Sequence, residues 1–433
     1  MCGTSCAKGT QRSREPGASR KLSSSILRTI VSCEVCGKQE LAPVLVLGSH
    51  PLCDDLVPVG DSRVCEEFPI EIKFCKVCWT AHQAFQVPKV KLFPPSYHYR
   101  ARFTQDVLNG MRSLVRSSEV RFGRLNGKMV LDIGTNDGSL LDVFRSRGAV
   151  TVGIEPTDAA REAAAKGHTL YQEYLSVGVV RSIVSRYGNP DIITFTNVFA
   201  HIDDLGDAIE SLQNAMGPET VVIVENHYLM SIVEKNQFDT FYHEHPRSYS
   251  FRSFEYIARR LGLVILDVEF PDRYGGNIRV YLGSAKRVTH DKKYQSIVEK
   301  EERLLGGFAD LQRRVSEWRV SKRRFLSEQV DRFGALNAKA FPGRAAILLK
   351  LLDVDEKIIR AVHEKPGSQK IGYYVPGTRI PIVSDVVLFK GDRGPGPLVN
   401  LAWHISDEIR DYLRANGYVG EVVDIVSRED FVQ

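Results

Sequence analysis

The sequence predicts an α/β protein with two parallel-sheet domains, preceded by a small metal-binding domain. Three observations carry this prediction. Strand-like apolar runs alternate with helical stretches over residues 101–289, the alternation returns over residues 339–433, and the cysteines all lie before residue 79. A length of 433 residues allows two or three domains of ordinary size. No apolar run is long enough to span a bilayer, so we expect no membrane segment.

Residues 1–29 form a basic, serine-rich segment that we expect to be a disordered tail. Glu15 is its only acidic residue, a composition that also suits a transit-like segment, and this alternative stays open. The formal net charge of +5 is small for this length and argues neither for nor against a nucleic-acid partner.

Two C-x-x-C pairs in the block 30–100 predict a metal site. Cys33 and Cys36 form one pair, and Cys75 and Cys78 form the other. Two such pairs fill a tetrahedral shell, so we expect a structural Zn²⁺ in a zinc-binding domain. A thiol cluster followed by a cysteine-free remainder indicates a reducing compartment, and we expect the cytoplasm. Acidic residues outnumber arginines around the pairs, which disfavours nucleic acid.

Apolar runs locate the strands of the two α/β blocks. The central block has candidate strands at residues 128–133, 150–154, 192–196 and 221–225. Residues 290–338 are free of proline and have apolar positions near helical spacing, which predicts a helical connector. The final block has candidate strands at residues 345–349, 380–383 and 398–404, which is typical of a second, smaller α/β domain.

The turn after the strand at residues 128–133 predicts a site for S-adenosylmethionine. Its glycines let the backbone turn sharply and approach a ligand. A dinucleotide site would show G-x-G-x-x-G, whereas this turn has an acid before its first and last glycines, which suits a cationic sulfonium. Glu155 ends the next strand, where a carboxylate can accept both ribose hydroxyls. The candidate cofactor residues in the turn are Asp132, Gly134, Asn136, Asp137 and Gly138.

Asn197 and His201 follow the strand at residues 192–196 and are expected on the same side of the sheet. His201 could equally cap or pack against the next helix.

A dense group of functional side chains lies at residues 242–245. Tyr242, Glu244 and His245 offer a phenol, a carboxylate and an imidazole, with His243 between them. Histidine can take a proton near neutral pH, and tyrosine can donate a hydrogen bond to an enolate oxygen. A metal site and a purely structural role are the alternatives.

These motifs together resemble the nucleotide-sugar C-methyltransferases, which act on 4-keto deoxysugars attached to a nucleoside diphosphate. The resemblance covers most of residues 30–433. It includes both cysteine pairs, the cofactor turn and four further motifs: Leu47-Gly48-x-x-Pro51-Leu52, Tyr97-His98-Tyr99-Arg100, Tyr242-x-Glu244-His245 and Tyr374-x-Pro376-Gly377-Thr378.

The resemblance implies a central Rossmann-like methyltransferase domain that binds S-adenosylmethionine and a C-terminal Rossmann-like domain. It also implies that His245 is the general base, with Tyr242 and Glu244 beside it, and that either Tyr97 or Tyr99 reaches the active site. His243 is not part of the family pattern. The sequence departs from the family at residues 101–103, where small hydroxyl residues are usual, and in the shortened loop at residues 341–346.

The leading hypothesis is methylation of a carbon next to a ketone. His245 takes the proton, and the enolate carbon attacks the sulfonium methyl group. The second hypothesis is a non-sugar or oxygen acceptor, and the third is a non-catalytic zinc-binding interaction protein. We expect a small-molecule substrate, while monomer and homodimer both stay open.

Overall fold

The computed structural model describes residues 27–285, 294–390 and 396–431. Most of the predicted tail, including Cys2 and Cys6, lies outside the described residues. Residues 28 and 29 are described, and they pair with a strand at residues 85–86.

The N-terminal part is an antiparallel sheet with the two cysteine pairs at one end. The strand at residues 67–75 alternates buried Phe68, Ile70, Ile72 and Phe74 with less buried residues, so one of its faces packs inward. Its last residue, Cys75, pairs with Leu41, which brings both cysteine pairs to the same end of the sheet. The strands are β1 (Arg28–Thr29), β2 (Leu41–Pro51), β3 (Val57–Pro58), β4 (Glu67–Cys75), β5 (Ala81–Gln83) and β6 (Phe85–Gln86).

The central part is a seven-stranded sheet with the order β13-β14-β11-β10-β7-β8-β9. Only β14 runs antiparallel to its neighbours. The four strands predicted for this block are confirmed, with the last one extended to His227. The strands of this sheet are β7 (Met129–Ile133), β8 (Val150–Ile154), β9 (Thr169–Tyr171), β10 (Ile192–Thr196), β11 (Val221–His227), β13 (Val264–Glu269) and β14 (Asn277–Gly283). The short strand β12 (Arg247–Ser248) lies in the same stretch of chain but belongs to the N-terminal sheet.

Helices cover both faces of this sheet, which is why its inner strands are continuous apolar runs. The helices are α1 (Lys89–Leu92), α2 (Gln105–Phe122), α3 (Ser139–Arg145), α4 (Ala159–Ala165), α5 (Val177–Tyr187), α6 (Leu205–Ala215), α7 (Leu229–Glu234) and α8 (Phe251–Leu261). Among the described residues, no helix is both long and apolar enough to cross a membrane.

The predicted helical connector contains α9 (Gln295–Glu301) and α10 (Leu304–Phe333). The helix α10 buries Trp318 completely, and the indole nitrogen donates to the carbonyl of Ile425. The helical pattern nevertheless ends earlier than predicted, because a strand begins at Leu336.

The C-terminal part is a parallel five-stranded sheet with the order β18-β16-β15-β19-β20, a second Rossmann-like arrangement. The strands of this sheet are β15 (Leu336–Lys339), β16 (Ile359–Glu364), β18 (Ile382–Ser384), β19 (Leu398–Asn400) and β20 (Val422–Asp424). The short strand β17 (Tyr373–Tyr374) lies outside this sheet. The helices are α11 (Ala345–Leu351), α12 (Val386–Phe389) and α13 (Ser406–Ala415).

The strand predicted at residues 345–349 is wrong, because these residues form α11. They are apolar and completely buried, and a short buried helix cannot be told from a buried strand by its pattern. The other two predicted strands are present but displaced or shortened, as β18 and β19. The strands β15, β16 and β20 of this sheet were missed.

Short strands join the N-terminal sheet to both other parts. The strand β12 pairs with β5 and β17 pairs with β3. The carboxyl ends of the parallel strands in the central and C-terminal sheets face a shared cleft of about 580 Å³, which is lined by residues from all three parts.

Candidate active site and metal centre

The four cysteines of the two pairs converge on one point. Their sulfur atoms all lie within 4.8 Å of one another, and Cys36 is the only one that is not buried. Four sulfurs at this spacing fit one tetrahedral ion and leave no open position, so the chain binds Zn²⁺ as a structural ion. His82 Nε2 lies 3.3 Å from Cys33 Sγ, within reach of a hydrogen bond that would support a thiolate ligand. Cys53 and Cys65 lie outside this quartet.

The predicted cofactor turn connects β7 to α3 and is held by close packing. Gly134 has φ +72°, and a Cβ there would come within 2.5 Å of Val198. Gly138 has φ +78° and packs against Ala163 in the same way. Glycine is therefore required twice in this turn.

Two carboxylates accompany the turn. Asp132 is 3% exposed and accepts a hydrogen bond from the Thr194 hydroxyl at 2.6 Å. Burial raises the pKa of Asp132 to about 7, against the opposing Thr194 hydrogen bond, and the charge of Glu155 raises it further. Glu155 accepts the amide N–H groups of Asn136 and Thr157, both at 2.9 Å. A cationic ligand would favour the ionised form of Asp132.

Asn136 lines the cleft, whereas Asp137 does not, and the side chains of both are engaged by neighbouring protein groups. The Asn136 side chain hydrogen-bonds to the backbone of Tyr99 and Ala101, and the Asp137 side chain accepts from Arg102 and Ser139. Asp137 is completely buried, and neither it nor Gly138 lines the cleft.

Asn197 and His201 lie beyond the carboxyl end of β10, as predicted. Asn197 has φ +54°, and its side-chain oxygen accepts from Asn277 at 3.3 Å. The His201 ring lies 4.9 Å from the His245 ring, and its Nδ1 is 3.9 Å from Glu244. Burial lowers the pKa of His201 to about 4.

Tyr242, Glu244 and His245 all line the cleft. The rings of Tyr242 and His245 are 4.3 Å apart. His245 Nδ1 lies 2.9 Å from the carbonyl of Thr240, which can only accept, so Nδ1 carries the proton and Nε2 carries the lone pair. Burial, reinforced by His201 and His227, lowers the pKa of His245 well below its usual value. The imidazole is therefore neutral.

The structure separates the two candidate tyrosines. Tyr97 donates a hydrogen bond to Glu244 at 2.9 Å. The Tyr99 hydroxyl instead lies 3.3 Å from the Tyr274 hydroxyl, and 41% of the Tyr99 side chain is exposed. His243 points away from the cleft, with Nε2 at 3.0 Å from the carbonyl of Phe68.

Sequence reasoning missed several residues that line the same cleft. His227, at the end of β11, has its ring 5.3 Å from that of His245, and Tyr274 packs on its other side. The sequence signal for His227 was its position as a polar residue at the end of a buried apolar strand. Arg344 and His404 come from the segments after β15 and β19. Arg344 was missed because β15 was interpreted as helix, and His404 was missed because the strand at residues 398–404 was predicted to include it.

Comparison with known families covers most of the chain. Residues 33–93 match the family described as "Putative zinc binding domain", residues 109–268 match "Methyltransferase domain", and residues 272–422 match "C-methyltransferase C-terminal domain".

The similar proteins are methyltransferases. The C-methyltransferase NovU of Streptomyces niveus is 29% identical over 399 residues, covering 89% of this chain and 93% of its own length. A ubiquinone biosynthesis O-methyltransferase of Acinetobacter baylyi is 29% identical over 145 residues, and the chain spans about half of its length, 55%. Among solved structures, magnesium protoporphyrin IX methyltransferase of Synechocystis with bound S-adenosylmethionine is 15% identical, with a TM-score of 0.31 over 42% of this chain and 80% of that one.

The similarity to a C-methyltransferase runs through the zinc-binding part, the sheet that carries the cofactor turn and the C-terminal sheet. The hypothesis of a non-catalytic zinc protein is therefore wrong. The chain is an S-adenosylmethionine-dependent C-methyltransferase, and its three parts are similar to a zinc-binding domain, a methyltransferase domain and a C-methyltransferase C-terminal domain.

Proposed function

We propose that this chain methylates a carbon next to a ketone in a nucleotide-linked keto-deoxysugar. The observation that carries the proposal is the orientation of His245. Its unprotonated Nε2 belongs to a ring on the wall of a cleft that also holds the cofactor turn. A base beside the donor site suits the removal of a carbon-bound proton.

The donor half of the cleft lies above β7, β8 and β10. Asp132, Gly134 and Asn197 would hold the methionine part of the donor, and Glu155 would accept its ribose hydroxyls. The burial of Asp132 suits a cationic ligand, because pairing with a positive charge offsets the cost of ionising a buried carboxyl. Bound S-adenosylmethionine supplies an electrophilic methyl group on a positively charged sulfur.

The reaction begins at the acceptor carbon beside the carbonyl. His245 Nε2 takes the proton, and the electrons of the broken C–H bond form an enolate. The enolate carbon then forms a bond to the methyl group while the electrons of the carbon–sulfur bond leave with sulfur. A low pKa makes His245 a weak base at rest, but the negative enolate stabilises the imidazolium as it forms.

Tyr242 is the proposed donor to the enolate oxygen. Burial, with Glu244 nearby, raises the pKa of Tyr242 well above its usual value, so the phenol keeps its proton. A buried O–H donor stabilises a developing oxyanion more strongly than water does. Tyr97 and Glu244 complete this wall, and His201 lies between Glu244 and His245.

An anionic acceptor is supported by the C-terminal side of the cleft. Arg344 is buried and pairs with Asp239 at 3.0 Å, and its Nη2 has no hydrogen-bond partner among the described residues. Lys365 and Lys370 line the same side. A guanidinium with an unused N–H suits a diphosphate.

Glu364 ends β16, the second strand of the Rossmann-like sheet, and lines the cleft. A carboxylate at this position is typical of a ribose site. These groups support a nucleoside diphosphate on the acceptor.

The base and the proposed phosphate residue share one anchor. The Thr240 carbonyl accepts from His245, and the Thr240 hydroxyl accepts from Arg344 Nη1 at 3.0 Å. A bound diphosphate would therefore sit at a fixed distance from the base, and fixed geometry contributes much of the rate in such reactions.

The test is a panel of nucleoside-diphosphate keto-deoxysugars offered with a donor that carries a ¹³C-labelled methyl group. We expect a labelled C–CH₃ signal by NMR on the carbon next to the carbonyl, which the reaction leaves in place. A label on oxygen, or turnover only of acceptors without a nucleotide, would overturn the proposal.

A further inference from the structure

Residues 97–102 form a strap that crosses the cofactor turn and enters α2. The strap carries Tyr97 and Tyr99, and the cleft is lined by both. It joins the zinc-binding part to the central sheet, and it touches the donor and acceptor halves of the cleft at once.

The cofactor turn holds the strap by its backbone. Asn136 Oδ1 accepts from the Ala101 N–H at 3.0 Å, and Asn136 Nδ2 donates to the Tyr99 carbonyl at 3.0 Å. The Asn136 side chain therefore binds the backbone on both sides of Arg100. The neighbouring Asp137 Oδ2 accepts from the Arg102 N–H at 3.0 Å.

The strap in turn fixes the side of the cleft that carries Tyr97, Tyr242, Glu244 and His245, which we call the acceptor wall. Arg100 Nη1 donates to the carbonyls of Tyr97 at 2.7 Å and Tyr99 at 2.8 Å. Arg100 Nε donates to Glu162 of α4 at 2.7 Å. Because Tyr97 then donates to Glu244, a continuous set of hydrogen bonds runs from the cofactor turn to the proposed acceptor site.

These contacts occupy the polar side-chain atoms of Asn136 and Asp137 that a ligand would otherwise bind. Both polar atoms of the Asn136 side chain are used by the strap. Asp137 is completely buried, and its second oxygen accepts from the hydroxyl and the amide of Ser139. The φ of +53° at Asn136 directs its side chain toward the strap, and asparagine tolerates this left-handed conformation better than most residues.

We propose that Asn136 and Asp137 are positioning residues that hold the strap against the cofactor turn and thereby place Tyr97 against Glu244. Their position in the turn makes the acceptor wall depend on the conformation of the donor site. The part of this inference that concerns turnover rests on the proposed function, whereas the part that concerns the strap does not.

The test compares N136A and D137A with D132N, which changes a proposed donor ligand, and with N109A, an exposed asparagine on α2. Calorimetry measures the Kd of S-adenosylhomocysteine, steady-state kinetics gives kcat, and hydrogen exchange follows the amides of Ala101 and Arg102. We expect N136A and D137A to lower kcat by roughly 10- to 100-fold, because small misplacements of active-site groups cost this much. Their Kd should change less than about threefold, as expected when only strap contacts are lost. The amides of the strap should exchange faster.

Two controls separate positioning from general damage. N136D keeps the oxygen that faces Ala101 but loses the donor to Tyr99, so its kcat should be intermediate. N109A should behave as the unchanged protein in all three measurements. A rise in Kd for N136A equal to that of D132N, with kcat unchanged at saturating donor, would overturn the proposal. Unchanged exchange at Ala101 and Arg102 would overturn it as well. If no keto-sugar is turned over, the binding and exchange results still decide the role of the strap.

Discussion

The Tyr97 hydroxyl donates a hydrogen bond to Glu244 Oε2 at 2.9 Å, although 147 positions separate the two residues. Tyr97 comes from the end of the zinc-binding part, and Glu244 comes from the loop after α7. The acceptor wall therefore exists only when the two parts are assembled.

This pair predicts the pH dependence of turnover. Burial raises the pKa of Glu244 to about 8, the charge of Asp54 raises it too, and the Tyr97 hydrogen bond opposes the rise. Glu244 is thus mostly neutral at pH 7 and becomes ionised above about pH 8, where its charge would oppose the enolate. We expect kcat to fall above about pH 8, and we expect E244Q, which is neutral at every pH, to lose this decline. An unchanged decline in E244Q would assign it to another group.

The same ionisation should affect stability. Because the folded-state pKa of Glu244 lies above its ordinary value of about 4.5, the folded protein holds a proton that the unfolded chain releases between about pH 4.5 and 8. Stability from this group therefore falls as pH rises through that window, and E244Q should reduce the fall in unfolding temperature.

Donor affinity should depend on pH through Asp132. A sulfonium cation favours the ionised carboxylate, so binding at pH 6 must first ionise a group with a pKa of about 7. We expect S-adenosylmethionine to bind roughly tenfold more tightly at pH 8 than at pH 6. S-Adenosylhomocysteine lacks the cation but has the same amino group, so it is the control and should show a smaller change. Equal pH dependence for both ligands would exclude Asp132 as the cause.

Replacement of His245 separates proton removal from donor binding. H245N should lower kcat by more than about 10³-fold, because the base is lost. It should also stop the exchange of the acceptor C–H for deuterium in D₂O with S-adenosylhomocysteine bound. Calorimetry should show an almost unchanged Kd for S-adenosylhomocysteine. Persistent deuterium exchange in H245N would remove His245 from the proton-transfer step.

Arg344 provides a test of the acceptor's charge. R344K keeps the ion pair with the buried Asp239 but loses the planar fork, so the fold should survive. We expect the KM of a nucleotide-linked acceptor to rise roughly 10- to 100-fold, with no change in donor Kd. The exposed Arg319 on α10 offers R319K as a matched control. An unaltered KM in R344K would argue against a phosphate at this position.

The metal centre should govern stability. C75S breaks the quartet, and loss of a structural zinc site removes much of the folding free energy of a small domain. We expect the unfolding temperature to fall by more than about 10 °C. C65S changes a buried cysteine outside the quartet and should have a much smaller effect. Equal losses in both variants would show that the quartet holds no stabilising ion.

The sequence predicted the elements whose pattern is local. Four strands of the central sheet, the cofactor turn and the group Tyr242, Glu244 and His245 each combine apolar runs or dense functionality within a few residues. The different hydrogen-bond partners of Tyr97 and Tyr99 were not accessible from the sequence, because they depend on how the strap lies over Asn136. The prediction of a strand at residues 345–349 failed for a different reason, because complete burial removes the periodicity that distinguishes a helix from a strand.

At residues 101–103 the sequence lacks the small hydroxyl residues of the family pattern, and the structure explains why this difference is tolerated. The strap contacts the cofactor turn through the backbone N–H groups of Ala101 and Arg102. These two contacts need no particular side chain, so the loss of small hydroxyl residues leaves them intact. A pattern of side chains could not reveal this.

The pairing of β12 with β5 has a consequence for protein engineering. Arg247 lies two residues after His245 and forms the edge strand of the zinc-binding sheet together with Ser248. A chimaera that exchanged the first hundred residues for those of a relative would replace the sheet against which the loop at residues 242–245 is anchored. Acceptor preference could therefore be transferred between relatives only by moving this sheet and the loop as one unit.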